Sequence, residues 1–122
     1  MNTGRKGFEA PLPELTADDR QALLRLFCTV TARDLADLAE ALAADDAGRV
    51  TQLAHRIKGA AATIGAGDLA ETAEWLELHS AGSTQARRGQ ALRNLKASFR
   101  TLVAGIARTE GDGPAHPPDA IP

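Results

Sequence analysis

Cysteine is almost absent from this sequence, in which Cys28 is the only one. No intramolecular disulfide can form, which excludes a small secreted fold that depends on disulfides. Aromatic residues are also scarce, with three Phe, one Trp and no Tyr among 122 residues. The core must therefore consist mainly of aliphatic side chains, and few residues favour β-strands. We expect an all-α protein.

Long apolar runs are missing as well. No stretch reaches the roughly 18 apolar residues of a membrane-spanning helix, and the opening residues, MNTGRKGFEAPLPE, lack the apolar segment of a signal peptide. The formal net charge of -2 gives no general attraction to nucleic acids or anionic membranes. We expect a cytoplasmic protein without a nucleic-acid partner and without membrane contact.

Motifs for bound cofactors are missing too. The sequence contains no HxxxH, HExxH or CxxC spacing, so we predict no metal site. It also lacks a glycine-rich phosphate loop, and it is too short to add a nucleotide-binding domain. We therefore expect no kinase activity of its own and no cofactor bound by this chain.

Composition and periodicity divide the chain into three parts. Residues 1–15 form an arm with two glycines and two prolines, and residues 110–122 form a proline-rich tail that we expect to be disordered. Residues 16–109 carry helical apolar patterns separated by short turns. These patterns predict an antiparallel, up-and-down four-helix bundle with an additional N-terminal helical segment.

The helix boundaries follow from capping residues. Thr16, with Asp19 three residues later, predicts an N-cap. The apolar register that follows would place Asp34 on the buried face, so we expect a break or kink near residues 31–33. A central helix is predicted from about Ala47 to Ile64, where Gly65 ends it. Asp68 and Glu71 have the spacing of a capping box and open a shorter helix.

The central helix carries an apolar stripe that must face the core: Val50, Leu53, Ala54, Ile57, Ala61 and Ile64. His55 lies far from this stripe and therefore faces solvent. Gly59 and Ala62 follow it on the same outward face, where a glycine costs about 1 kcal/mol relative to alanine. We infer that these small residues leave room for another protein to approach, and that Lys58 offsets negative charge near the imidazole.

This pattern reads Ala54-His55-x-x-Lys58-Gly59-Ala60-Ala61-x-x-x-Gly65-Ala66-x-x-Leu69, continued by Leu76-Glu77. It resembles the signature of histidine-containing phosphotransfer (HPt) domains. The resemblance implies a four-helix bundle that receives a phosphoryl group on one exposed histidine from a receiver-domain aspartate and passes it to another receiver.

The resemblance assigns roles to residues of the central helix. His55 becomes the phosphoacceptor, most simply through Nε2, and Lys58 the balancing cation. Around His55 and Lys58, the partner would contact four further residues of this helix: Thr51, Gln52, Gly59 and Ala62. The resemblance further implies that the metal-binding carboxylates and their Mg²⁺ belong to the receiver, which is a response regulator or part of a hybrid kinase. A monomer suits a histidine that must be reached by partners.

Alternatives remain within this interpretation. The domain either stands alone or forms the C-terminal module of a hybrid sensor histidine kinase. A dimerisation and phosphoacceptor domain of a histidine kinase would usually have an acidic residue after the histidine and a proline soon afterwards. Here Arg56 follows, and no proline lies between Pro13 and Pro114. A non-catalytic, protein-binding helical bundle with an idle His55 is the remaining alternative.

Overall fold

Four α-helices make up most of residues 15–111, the part of the chain that the structure, a computed structural model, describes. They are α1 (Ala17–Ala43), α2 (Ala47–Thr63), α3 (Gly67–His79) and α4 (Gln85–Gly111), with a 3-10 turn at Ser80–Gly82. Each helix packs against the next one in the chain, and α4 closes the bundle against α1. No strand occurs within these residues. The predicted all-α, four-helix bundle is confirmed.

Left-handed residues produce the tight turns that follow α1 and α2. Gly65 has a φ of 79° and ends α2 as predicted, while the N–H of Ala66 donates to the carbonyl of Ala61 at 2.8 Å. This backbone pattern satisfies carbonyls that the helix leaves free. Asp45 occupies the same position after α1 with a φ of 56°. Both turns reverse the chain within a few residues, so consecutive helices lie antiparallel.

The predicted break near residues 31–33 is wrong, because α1 runs without interruption from Ala17 to Ala43. Asp34 does lie on the buried face, as the uninterrupted register requires, and it is only 4% exposed. Its carboxylate accepts a hydrogen bond from Arg56 of α2 at 3.0 Å. Because a paired charge can occupy a buried position, the helix has no need to change register. The additional N-terminal helical segment is thus the first part of α1.

The two predicted N-caps have different outcomes. Thr16 does cap α1, since its hydroxyl oxygen accepts from the N–H of Asp19 at 3.0 Å. The capping box predicted for α3 is wrong, because α3 begins at Gly67 with Ala66 as its N-cap and no side-chain hydrogen bond there. The turn that ends α2 leads directly into α3, so Asp68 already lies within its first turn.

The core draws on all four helices, with fully buried residues that include Leu38, Ile57, Leu76 and Leu95. The predicted stripe of α2 is confirmed: Val50, Leu53, Ala54, Ile57 and Ala61 are buried, and Ile64 is half-buried. Burial of this stripe fixes the rotation of α2 in the bundle. The opposite face of α2 must then point outwards.

The predicted arm and the predicted tail fall mostly outside the described residues. The arm up to residue 14 and the tail from residue 112 lie there. At the C-terminal side, α4 continues to Gly111, two residues beyond the boundary expected from the sequence. None of the helices in the described range is both long and apolar enough to cross a membrane.

Candidate functional site

His55 lies near the middle of α2 and points away from the core. The preceding Ala54 and the nearby Ile57 are completely buried, so the helix cannot rotate to hide the imidazole. The His55 side chain is 66% exposed. The predicted orientation of the histidine towards solvent is confirmed, and a partner can reach its ring.

The imidazole is held by a carboxylate of the neighbouring helix. Nδ1 of His55 lies 2.7 Å from Oε2 of Glu77 in α3. An ionised carboxylate only accepts hydrogen bonds, so Nδ1 carries the proton and donates it. In a neutral ring the lone pair then resides on Nε2, the nitrogen farther from the backbone. No role was assigned to Glu77 from the sequence, and this contact now connects it to His55.

Lys58 binds the same carboxylate from the other side. Its Nζ lies 2.9 Å from Oε1 of Glu77, so one glutamate joins the lysine and the histidine. The hydrogen bond that Lys58 donates to Glu77 raises the pKa of Lys58 above its ordinary value of 10.5. The hydrogen bonds from Lys58 and then His55 lower the pKa of Glu77 below 4.5. At neutral pH the site therefore contains an ionised carboxylate and a protonated amine.

The small residues beside His55 leave open space above α2. Among the residues that the structure describes, a Cβ atom added at Gly59 would meet no atom within 4 Å, so none of the four helices covers this position. Thr51, Gln52 and Ala62 are also exposed. These four residues, which we call the landing surface, surround the imidazole on α2. None of them carries a charge that would repel a phosphorylated partner.

Two features explain why Glu77 escaped detection as a functional residue. Its separation of 22 residues from His55 gives no local pattern, and a glutamate on a helix is usually solvated. The sequence feature that could have indicated a role for Glu77 was its place directly after Leu76, which is completely buried. A residue next to such a core position on α3 lies close to the interface with α2, and its side chain is only 17% exposed.

The other chemically active side chains are not brought into this site. Cys28 is half-buried on α1, and His79 lies at the end of α3, with its ring 5.5 Å from that of Trp75. Within residues 15–111, no group of three or more His, Cys, Asp or Glu side chains has an arrangement suited to a metal ion. His116 lies outside the described residues. The candidate site therefore consists of His55, Glu77, Lys58 and the landing surface.

Comparison with known proteins identifies the family. Comparisons with curated proteins and with solved structures gave no significant match. The family model described as the Hpt domain, however, matches residues 22–108, which include all of α2 and α3, most of α1 and α4, and the whole candidate site. The chain therefore belongs to the Hpt domain family, whose domains take part in histidine phosphotransfer within two-component systems.

Proposed function

We propose that this protein is a phosphorelay intermediate, which accepts a phosphoryl group on Nε2 of His55 from a receiver-domain aspartate and passes it to another receiver. The observation that carries the proposal is the 2.7 Å contact between Nδ1 of His55 and Glu77. It supports a tautomer whose free lone pair is on the outward nitrogen of an exposed ring. An idle surface histidine would not require such a partner.

The transfer would be an in-line displacement at phosphorus. The Nε2 lone pair attacks the phosphorus of the aspartyl phosphate, the N–P bond forms, and the P–O bond to the aspartate breaks. The aspartate leaves as a carboxylate, so no proton has to reach it. Positive charge develops on the imidazole, because Nδ1 keeps its proton. The ionised Glu77 stabilises that charge at the nitrogen where it is delocalised. Transfer to the next receiver is the reverse reaction.

Lys58 would reduce the electrostatic cost of placing a phosphoryl group on His55. It lies one turn after the histidine, and its contact with Glu77 places its ammonium group beside the ring. An ammonium group has three donors, so donors remain for phosphoryl oxygens. Any Mg²⁺ needed for transfer would be bound by the receiver, since this proposal requires no metal ligand on the chain itself.

The landing surface would allow the receiver to bring its aspartate within bonding distance. Gly59 and Ala62 are small enough for close approach, while Thr51 and Gln52 offer hydrogen-bonding groups. One chain supplies both His55 and Glu77, so a monomer is sufficient. The proposal implies a cytoplasmic protein that functions without nucleic acid or membrane contact. It applies equally to a separate protein and to a module of a hybrid kinase.

The direct test is phosphoryl transfer from phosphorylated receivers. A panel of purified receiver domains is labelled with radioactive phosphate and mixed with the wild-type protein or the variant His55→Gln. We expect label on the wild-type protein from at least one receiver, and none on the variant. Labelling of His55→Gln would disprove the assignment of the phosphoacceptor. A wild-type protein that binds receivers but takes label from none of them would instead be a protein-binding bundle.

A further inference from the structure

Asp34 is an acidic residue at a position where the pattern of α1 calls for an apolar one. Its side chain is 6% exposed, and the next residue, Leu35, belongs to the core. Burial of a carboxylate is unfavourable unless a partner compensates for the lost water. The compensating group is the guanidinium of Arg56, with NH2 at 3.0 Å from Oδ1 of Asp34. The chain therefore uses a buried charge to hold one particular arginine.

Arg56 is placed beside the phosphoacceptor but on the opposite flank from Lys58. Successive helix residues are about 100° apart, so Arg56 turns from His55 towards α1, whereas Lys58 turns towards α3. Glu77 holds the lysine on the α3 flank. Asp34 holds the arginine on the α1 flank. Each side of His55 thus carries one cation that is anchored by a carboxylate of a neighbouring helix.

Arg56 keeps most of its hydrogen-bonding capacity although Asp34 holds it in place. Its side chain remains 60% exposed, and among residues 15–111 its guanidinium contacts one acceptor, Asp34. Most of its five N–H donors are therefore available to a partner. A free surface arginine loses rotamer entropy when it binds, but an anchored one has lost much of that freedom already. Arg56 is preorganised for an interaction outside this chain.

We infer that Arg56 is a receiver-binding residue, which donates to a carboxylate of the receiver at the edge of the contact around His55, and that Asp34 is its positioning residue. This inference rests on the proposed function. A carboxylate fits best because the planar guanidinium binds two oxygens at once. The landing surface contains no acidic side chain, and the Asp34 carboxylate is largely covered, with 6% of its side chain exposed. Arg56 determines affinity and partner choice, while His55, Glu77 and Lys58 carry the chemistry.

The test separates receiver affinity from the transfer step. The probe is the receiver domain that phosphorylates the wild-type protein fastest in the panel. Its dissociation constant is measured without phosphate, and the transfer rate is measured at saturating receiver concentration. For Arg56→Gln we expect the dissociation constant to rise about three- to tenfold, the range for a charged hydrogen bond partly exposed to water. The saturated rate should change less than twofold. Arg56→Lys keeps the charge but not the planar fork, so it should recover part of the affinity.

The chain offers a matched control in Arg49. This residue lies two turns before Arg56 on the same side of α2, and it also makes ion pairs with α1, to Glu40 at 3.6 Å and Asp37 at 3.9 Å. Arg49→Gln removes the same charge and a similar inter-helix contact about 10 Å farther along α2. It should change receiver affinity less than Arg56→Gln does. Equal losses in both variants would indicate general charge attraction and overturn the inference.

A double-mutant cycle tests the positioning role of Asp34. Arg56→Gln alone leaves a buried carboxylate without its partner and should lower the melting temperature. Combining it with Asp34→Asn removes both charges, which should recover the melting temperature but not the affinity. Asp34→Asn should weaken receiver binding when Arg56 is present and have no effect on binding in the Arg56→Gln background. If Asp34→Asn changes the melting temperature but not receiver binding in both backgrounds, the pair only links α1 to α2 and the positioning role is refuted.

These measurements keep the inference distinct from the proposed function. A normal dissociation constant for Arg56→Gln, combined with normal phosphoryl transfer to His55, would refute the inference and leave the proposed function intact. If no receiver of the panel labels His55, the proposed function fails; a receiver that binds the wild-type protein then serves as the probe, and weaker binding of Arg56→Gln to it would still support Arg56 as a receiver-binding residue. Binding that weakens with added salt in the wild-type protein, and weakens less in Arg56→Gln, would support the predicted carboxylate contact.

Discussion

Removal of the Glu77 carboxylate gives the sharpest test of the proposed chemistry. In Glu77→Ala the His55 ring loses its one described hydrogen bond, at 2.7 Å, and its 66% exposure leaves little packing to hold it. On a helix the freed ring can use about two χ1 wells, because the third clashes with the preceding turn, and about two χ2 orientations. Two tautomers also become available. If one of these roughly eight combinations is productive, the transfer rate at saturating receiver should fall about eightfold.

The conservative variant and a control determine the cause of that loss. Glu77→Gln keeps an oxygen that accepts from Nδ1 but lacks the negative charge, so its rate should fall between those of Glu77→Ala and the wild-type protein. Glu74→Ala removes an exposed charge of α3 that influences Lys58 without a described contact to His55. Rapid-quench transfer assays measure all three rates. A wild-type rate in Glu77→Ala, or an equal loss in Glu74→Ala, would refute the role of the carboxylate.

Three further predictions concern stability and pH. Gly59→Ala should raise the free energy of unfolding by about 1 kcal/mol in urea denaturation, because the added methyl group has open space. Gly59→Trp should block phosphoryl transfer and leave the circular dichroism spectrum unchanged. Leu76→Ala should lower the free energy of unfolding by about 2–5 kcal/mol, since Leu76 is completely buried; a loss below 1 kcal/mol would contradict its place in the core. The pKa of Glu77 is lowered by Lys58 and His55. The stability that these contacts contribute should therefore be fully present above pH 4.5 and be lost as the pH falls through the lowered pKa of the folded protein. Carboxyl NMR would check this, and titration of Glu77 above pH 4.5 would contradict it.

The architecture was predictable because it depends on periodicity. One apolar stripe on α2 fixed the buried side of the helix, and that side alone sets the exposure of His55. Gly65 could be placed because the end of α2 requires a left-handed residue, which glycine provides most readily. In both cases the determining residues are close together in the chain. Local patterns of this kind can be read without knowing which helices become neighbours.

The contacts that complete the site could not be predicted in the same way. Glu77 and His55 are 22 residues apart, as are Asp34 and Arg56. Each pair joins two helices, so it depends on the rotation and height of one helix relative to another. The spacing of apolar residues constrains the rotation of a helix but leaves its height open by several ångströms. The break predicted at residues 31–33 followed from this limit, because Asp34 was judged without its partner.

Two departures from the amphipathic pattern are Gly59, one turn after His55, and Asp34, which pairs with the residue that follows His55. Gly59 is a poor helix former on the outward face, and Asp34 is a charge on the inward face. Either would be eliminated if stability alone determined the residue, since alanine improves the first position and an apolar side chain suits the second. Such local conflicts are expected at functional sites. In the proposed function, Gly59 would leave room for a visiting protein, and Asp34 would fix the arginine that meets it. A second arginine held to α1, Arg49, lacks a buried anchor, because Asp37 and Glu40 are both substantially exposed. Of these two arginines, the one with the buried anchor is the one that adjoins the histidine, which is the arrangement that partner binding requires and helix pairing alone does not.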